Sequence, residues 1–339
     1  MKPSLKLRKN LKPLKIVNMF RKVIANIGIG IGVTLSIPTP SYSITLFQFD
    51  YSYDTNGFFA DPNRKARLEE AASYYSSFSD SLSAICTPSC GGSNTWDAQF
   101  FEPGGTGTLV SVANLAVKAN TLIVYAGGRD LGALTLGLGG SGGFSASGTP
   151  SFFDNVLARG QSGASGPAAS RTDFSPWGGS VSFTNNPLVI WNFGNASTAP
   201  SSGQDDFLSV ALHELGHLMG INSGVPSWNN RISGTSFTGA SSVSVYGSSV
   251  PLSSDSSHWA EGTMSGRPGT NLPQEAAMDP TLTQGTRKFL TKLDYAGFKD
   301  VGWEVSDSLT GIPFEFKPDL AIFILGTGLI GRNLWLRRR

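Results

Sequence analysis

Residues 213–220 read HELGHLMG, and this octapeptide limits the fold more than any other stretch of the chain. His213 and His217 stand four apart, so a helix places them on one face, within reach of a shared ion. DDFLSVALHELGHLM (205–219) predicts that helix. Asp205 and Asp206 lie in its first turn, where the dipole favours negative charge, and Gly220 gives a stop. Neutral imidazole nitrogens suit Zn²⁺. Glu214 sits beside the pair, placed to take a proton from a water whose pKa a metal has lowered toward neutrality. Two histidines serving only to fill one face of a buried helix would each need a polar partner, which is a costly way to build a core.

A catalytic zinc site uses three protein ligands and keeps one position open. Only three histidines occur in the chain, and the third is His258, in SSDSSHWAEG. The metal set expected is therefore His213, His217 and His258, with Glu214 as general base. Glu261, Glu275 and Asp255 remain rival oxygen donors for the third place. Ser223, three residues beyond Gly220, is a poor neutral ligand.

The two ends carry a different message. Residues 1–22 hold eight Lys/Arg and no acid; without residues 1–43 the chain has 18 Lys/Arg against 24 Asp/Glu, a net of −6. The basic balance thus reports a targeting segment and not a nucleic-acid surface. VIANIGIGIGVTLSI (23–37) is an apolar stretch, and PTPSYS puts Ser41 and Ser43 at the −3 and −1 positions of a signal-peptide cleavage after Ser43. At the other end, IPFEFKP (312–318) leads into DLAIFILGTGLIG (319–331) and then RNLWLRRR. That run is short for an independent span, and its Arg cap suits membrane retention. Two cysteines, Cys86 and Cys90, read as a small-loop disulfide, because no further Cys completes a thiolate metal site.

Between the ends the pattern is mixed. ITLFQFD (44–50), TLVSVANLA (108–116), ANTLIVYAGG (119–128), GGSVSF (178–183) and VIWNFG (189–194) predict strands. Helical spacing of Leu68, Ala71, Ala72, Tyr75, Phe78 and Leu82 predicts a helix over 61–85, started by Asp61-Pro62. Another is expected from Thr291 to near Gly302. The Gly/Ser-rich stretch 132–150, with LGLGGSGG at its centre, lacks the Gly-Lys-Ser/Thr ending of a phosphate loop and reads as a turn-rich insertion. Residues 156–172 read as a loop, and 223–257 show little helical period. No EF-hand-type acidic loop is present. The elements together imply an α+β fold.

HELGHLMG followed by a remote His resembles the metzincin superfamily of zinc peptidases, and leishmanolysin-like members carry an insertion between the glycine and the third His. FTGASSVSVYGSSVPLSSDSSHW (237–259) is similar to that insertion, EAAMDP (275–280) resembles the Met-turn with Met278 under the metal, and TKLDYAGFKDVGW (291–303) resembles the closing helix. GGSVSF resembles the edge strand that pairs with extended substrate. The C-terminal tail resembles PEP-CTERM sorting tags, although it reads Pro313-Phe314-Glu315 where they carry Pro-Glu-Pro. The resemblance covers 44–305, with its motifs in 207–303.

It implies an α+β metzincin-like zincin with a mixed sheet, an active-site helix and a small irregular lower subdomain. Residues 1–43 would be a signal peptide and 44–305 a metallopeptidase domain, with an upper subdomain 44–222 and a lower one 223–305. Residues 306–339 would be a sorting tail that contacts the membrane and is handled by a processing protease. The function implied is an exported zinc endopeptidase in the periplasm, at the cell surface or outside a Gram-negative-type bacterium. It would act as a monomer on protein or peptide substrates and not on nucleic acid. A surface binding protein on an inactive protease scaffold, and a non-peptidase metal hydrolase, are the alternatives. Tyr295, a conceivable oxyanion donor, sits in a helical pattern that favours core packing.

Overall fold

The computed structural model describes residues 46–85, 93–270 and 272–306. The signal segment, the Cys86–Cys90 pair and the apolar tail lie outside the described residues.

The N-terminal part mixes strands and helices. Its elements are β1 (Leu46–Asp50), α1 (Pro62–Ser73), β2 (Thr95–Phe101), β3 (Leu109–Ala113), β4 (Thr121–Arg129), β5 (Gly137–Ser141), β6 (Gly143–Ser147), α2 (Pro150–Ala158) and β7 (Gly178–Thr184). Two short strands, β8 (Trp191–Asn192) and β9 (Asp205–Asp206), lead into α3 (Phe207–Leu218). The remainder is built of small pieces: α4 (Pro226–Asn229), β10 (Ile232–Ser233), β11 (Ser236–Phe237), α5 (Ala240–Tyr246), β12 (Val250–Pro251), β13 (Met264–Gly266), β14 (Pro273–Glu275) and α6 (Lys292–Asp300). The fold is α+β. Among the described residues no helix is long and apolar enough to cross a membrane.

The main sheet has the order β1-β4-β7-β5. β1, β4 and β7 run parallel, and β5 runs antiparallel to β7, so the sheet is mixed. β4 reads TLIVYAGGR and is buried from its first residue to its eighth, as a parallel strand covered on both faces must be. Phe58, Phe59, Phe183 and Phe207 interlock beneath the sheet at ring separations of 4.6–6.3 Å. A second sheet, β3-β2-β6, is antiparallel throughout and packs around Trp96 and Trp177.

Several expectations change. The predicted helix 61–85 ends at Ser73; Tyr75, Phe78 and Leu82 still fill the core, but from irregular chain. The stretch 132–150 does lie at the surface, with none of its residues buried, but it is not turn-rich, since it contains β5, β6 and the start of α2. GGSVSF is not an edge: β7 is bonded on both sides, and β5 is the edge strand. VIWNFG shrinks to the two residues of β8, and 223–257 holds α4 and α5. Residues 156–172 begin inside α2, whose Thr149 side chain accepts from Phe152 N and whose N1 is Pro150.

Candidate metal centre

Helix α3 starts at a buried carboxylate. Asp206 Oδ2 accepts from Ser209 N at 3.0 Å, satisfying a donor that the first turn leaves open. Arg287 holds the same carboxylate with Nε at 2.9 Å and a second nitrogen at 2.5 Å. Eleven of the twelve helix residues are buried. At its far end Gly220 adopts φ 111°, a left-handed value open to glycine, and the chain turns away.

His213, His217 and His258 converge. Their Nε2 atoms stand 3.0 Å (His213–His217), 3.0 Å (His217–His258) and 3.2 Å (His213–His258) apart. Each Nδ1 faces an acceptor, so each carries the proton: His213 donates to Ala277 O, His217 to Ile221 O and His258 to Asp255 Oδ2, all at 2.7 Å. Every Nε2 is therefore a lone-pair donor, and three lone pairs aimed at one point repel unless a cation lies between them. A tetrahedral shell with Zn–N bonds of about 2.0–2.1 Å puts its nitrogens about 3.3 Å apart, close to what is found. Burial holds His213 well below the usual imidazole range and lowers His217 to about 4, so both are neutral at pH 7. The donor set fits zinc.

Glu214 is 5% exposed, and burial pushes it up to about 8 against the pull of the Gly139 N–H. A divalent cation beside it favours the ionised form. β5 passes directly over this carboxylate. A Cβ at Gly137 would come within 2.5 Å of Glu214 Oε1, and one at Gly139 would fall on Glu214 O. Glu214 and the three histidines line one cleft of about 530 Å³, which Leu136 and Leu282 also line.

The rival donors are elsewhere. Asp255 orients His258 and reaches no ligand position; its pKa is lowered by its bonds to Ser253, to the Ser257 N–H and to His258, against partial burial. Ser223 Oγ is bonded to Ser257 Oγ at 2.9 Å. Glu261 and Glu275 belong to a separate acidic group with Asp279.

The floor of the site is the turn 276–279, closed by Asp279 N on Ala276 O at 3.2 Å. Met278 is fully buried under α3, so that a Cβ at Gly216 would fall on its sulfur. Asp294, on the first turn of α6, fixes the turn. It accepts from Ala277 N (2.9 Å), Met278 N (3.2 Å) and Trp259 Nε1 (3.0 Å), and caps its own helix through Thr291. Tyr295 is core: its hydroxyl donates to Tyr74 O at 2.7 Å. Asp255 and Asp294 escaped sequence reasoning as supports. The signals were there, as Asp-x-x-His at 255–258 and as the Thr-x-x-Asp capping box of 291–294. No family model, curated protein or solved structure matches the chain.

Proposed function

We propose that the chain is an exported zinc-dependent endopeptidase of metzincin-like fold. Zn²⁺ is held by His213, His217 and His258, and Glu214 is the general base. The observation that carries the reading is the meeting of three Nε2 lone pairs, each with its Nδ1 pinned, beside a buried glutamate in an open cleft.

When bound, zinc polarises the scissile carbonyl and lowers the pKa of the attacking water. The chain's own residues do the rest. Ala277 O, Ile221 O and Asp255 fix the imidazole tautomers. Glu214 receives the proton of the attacking water and delivers it to the leaving amide nitrogen. The free edge of β5 lies along the cleft through Leu138 and Gly139, where an extended peptide would add as a further strand. Side-chain-free Gly137 and Gly139 let strand and helix approach closely enough to bring the scissile bond over Glu214. The signal segment and the tail add export and a membrane-linked processing step to this proposal.

Glu214→Ala tests it. The variant should keep one zinc per chain, while peptide hydrolysis falls by about 10²–10⁴-fold. Zinc content and casein turnover are measured on the same sample. Zinc without hydrolysis in the wild type would instead favour a binding scaffold. Wild-type turnover in Glu214→Ala would remove Glu214 from the mechanism.

A further inference from the structure

Glu261, Glu275 and Asp279 form a second convergence, separate from the histidines. One carboxylate oxygen of each lies within 4.8 Å of the other two. The protein satisfies one oxygen of each carboxylate. Thr281 Oγ1 donates to Glu261 Oε1 at 2.5 Å, and Lys288 Nζ donates to Glu275 Oε2 at 2.7 Å and to Asp279 Oδ1 at 2.6 Å. The third proton of the ammonium goes to Thr281 O at 2.7 Å, so Lys288 has nothing further to give. Asp279 is 1% exposed, and its Oδ2 is buried with no hydrogen-bond partner. Three carboxylates against one ammonium leave two negative charges. Burial, with Glu261 and Glu275 adding to it, pushes Asp279 up to about 6 even though Lys288 opposes this.

We propose that Glu261, Glu275 and Asp279 bind a calcium ion. A divalent cation neutralises the excess charge and gives Asp279 Oδ2 the partner that the protein withholds. The donors are all hard oxygens, as calcium requires. With Ca–O bonds of 2.3–2.6 Å, oxygens on opposite sides of the ion stand about 4.6–5.2 Å apart, so oxygens up to 4.8 Å apart can share it. Magnesium keeps several of its waters and is usually held by only one or two carboxylates, so a group of three favours calcium. Glu261 is exposed, so water can fill the remaining positions. The ion would join residue 261 to the segment 275–279, which also carries Ala277 O to His213. It would thereby brace the floor of the zinc site without entering it.

Calcium binding is measured on zinc-loaded full-length protein in calcium-free buffer, by equilibrium dialysis against radiocalcium and by thermal unfolding in rising CaCl₂. One calcium per chain and a Tm that climbs with calcium concentration are expected, with no such rise in MgCl₂. Glu261→Gln, at an exposed position, should fold normally and bind about tenfold more weakly, because it removes one charged ligand. Asp279→Asn should lose binding. Glu214→Ala should bind as the wild type does, so the outcome is separate from peptide hydrolysis. Absence of saturable binding by the wild type up to about 10 mM calcium, above the weakest extracellular sites, would overturn the proposal. So would equal affinity in the wild type, Glu261→Gln and Asp279→Asn.

Discussion

Replacing Asp294 by Asn should damage the proposed zinc site, which Asp294 never touches. Five donors converge on this buried carboxylate. Oδ1 takes Trp259 Nε1 and Met278 N, and Oδ2 takes Ala277 N, Thr291 N and Thr291 Oγ1. Burial pushes the Asp294 pKa up, and the backbone donors oppose it. Asparagine has one oxygen to offer. Its best placement keeps the three donors of Oδ2 and turns an NH₂ group toward Trp259 Nε1 and Met278 N. Two buried donors left unpaired cost about 1–3 kcal/mol each. Relief from burying a neutral amide in place of a charge offsets part of that. The net loss should be about 2–5 kcal/mol, or roughly 5–15 °C in Tm for a body of this size. The turn 276–279 should loosen, and Ala277 O should release His213 Nδ1. Loss of such a supporting contact typically lowers metal affinity about 10–100-fold. Unfolding followed by circular dichroism, and zinc competition against a chromogenic chelator, read the two effects. An Asn variant that melts within about 1 °C of the wild type and holds zinc equally well would refute the idea that Asp294 positions the turn.

Other outcomes follow from the same geometry. His258→Ala should strip zinc by orders of magnitude, and Asp255→Asn should weaken it about 10–100-fold, while Ser223→Ala leaves it unchanged; equal zinc affinity across all three would dismiss His258 as a ligand. Asp80 is buried against the Glu304 N–H, and burial raises it to about 7. Its folded pKa lies above its unfolded one, so its penalty is absent below the unfolded value near 4 and grows as pH rises through 7. Asp80→Asn should therefore flatten the decline of Tm between pH 4 and pH 8, and parallel curves for the two proteins would show that Asp80 is not the cause. Gly216→Ala gains about 1 kcal/mol of helix propensity but overpacks Met278 by about 1–3 kcal/mol. It should destabilise alone and do so less in a Met278→Ala background, and simple additivity in the double-mutant cycle would contradict that contact.

Long periodic elements were legible in the sequence. β4, α3 and α6 lie where apolar runs, Gly220 and Thr291 put them, because burial and capping leave marks in composition. His213, Glu214 and His217 were legible because a helical spacing fixes a face, and His258 only because no other histidine remains in the chain. What failed were segments held by the rest of the molecule. Tyr75, Phe78 and Leu82 keep a helix-like period, yet the helix stops at Ser73, and those side chains reach the core from chain whose backbone bonds go elsewhere, as Ser79 N does to Glu304 O. β5 offers Gly-Leu-Gly-Gly-Ser, with nothing for a hydrophobic pattern to register. Asp294 serves the turn at Ala277 and Met278, far from it in sequence and on a different element, and no local rule says which turn a carboxylate will serve. Asp255 stands only three residues before His258, but a bare Asp-x-x-His does not say that the pair meets.

β5 also changes how its own composition should be read. A complexity filter would discard LGLGGSGG as filler. Yet a methyl group at Gly137 or Gly139 would strike helix α3, whereas one at Gly140 would meet nothing within 4 Å. The two-residue beat of a strand survives here as a rhythm of steric tolerance and not of hydrophobicity. In a saturation mutagenesis screen the segment should show up as closed positions beside open ones. Gly137 and Gly139 should reject every other amino acid, and Gly140 should accept most of them.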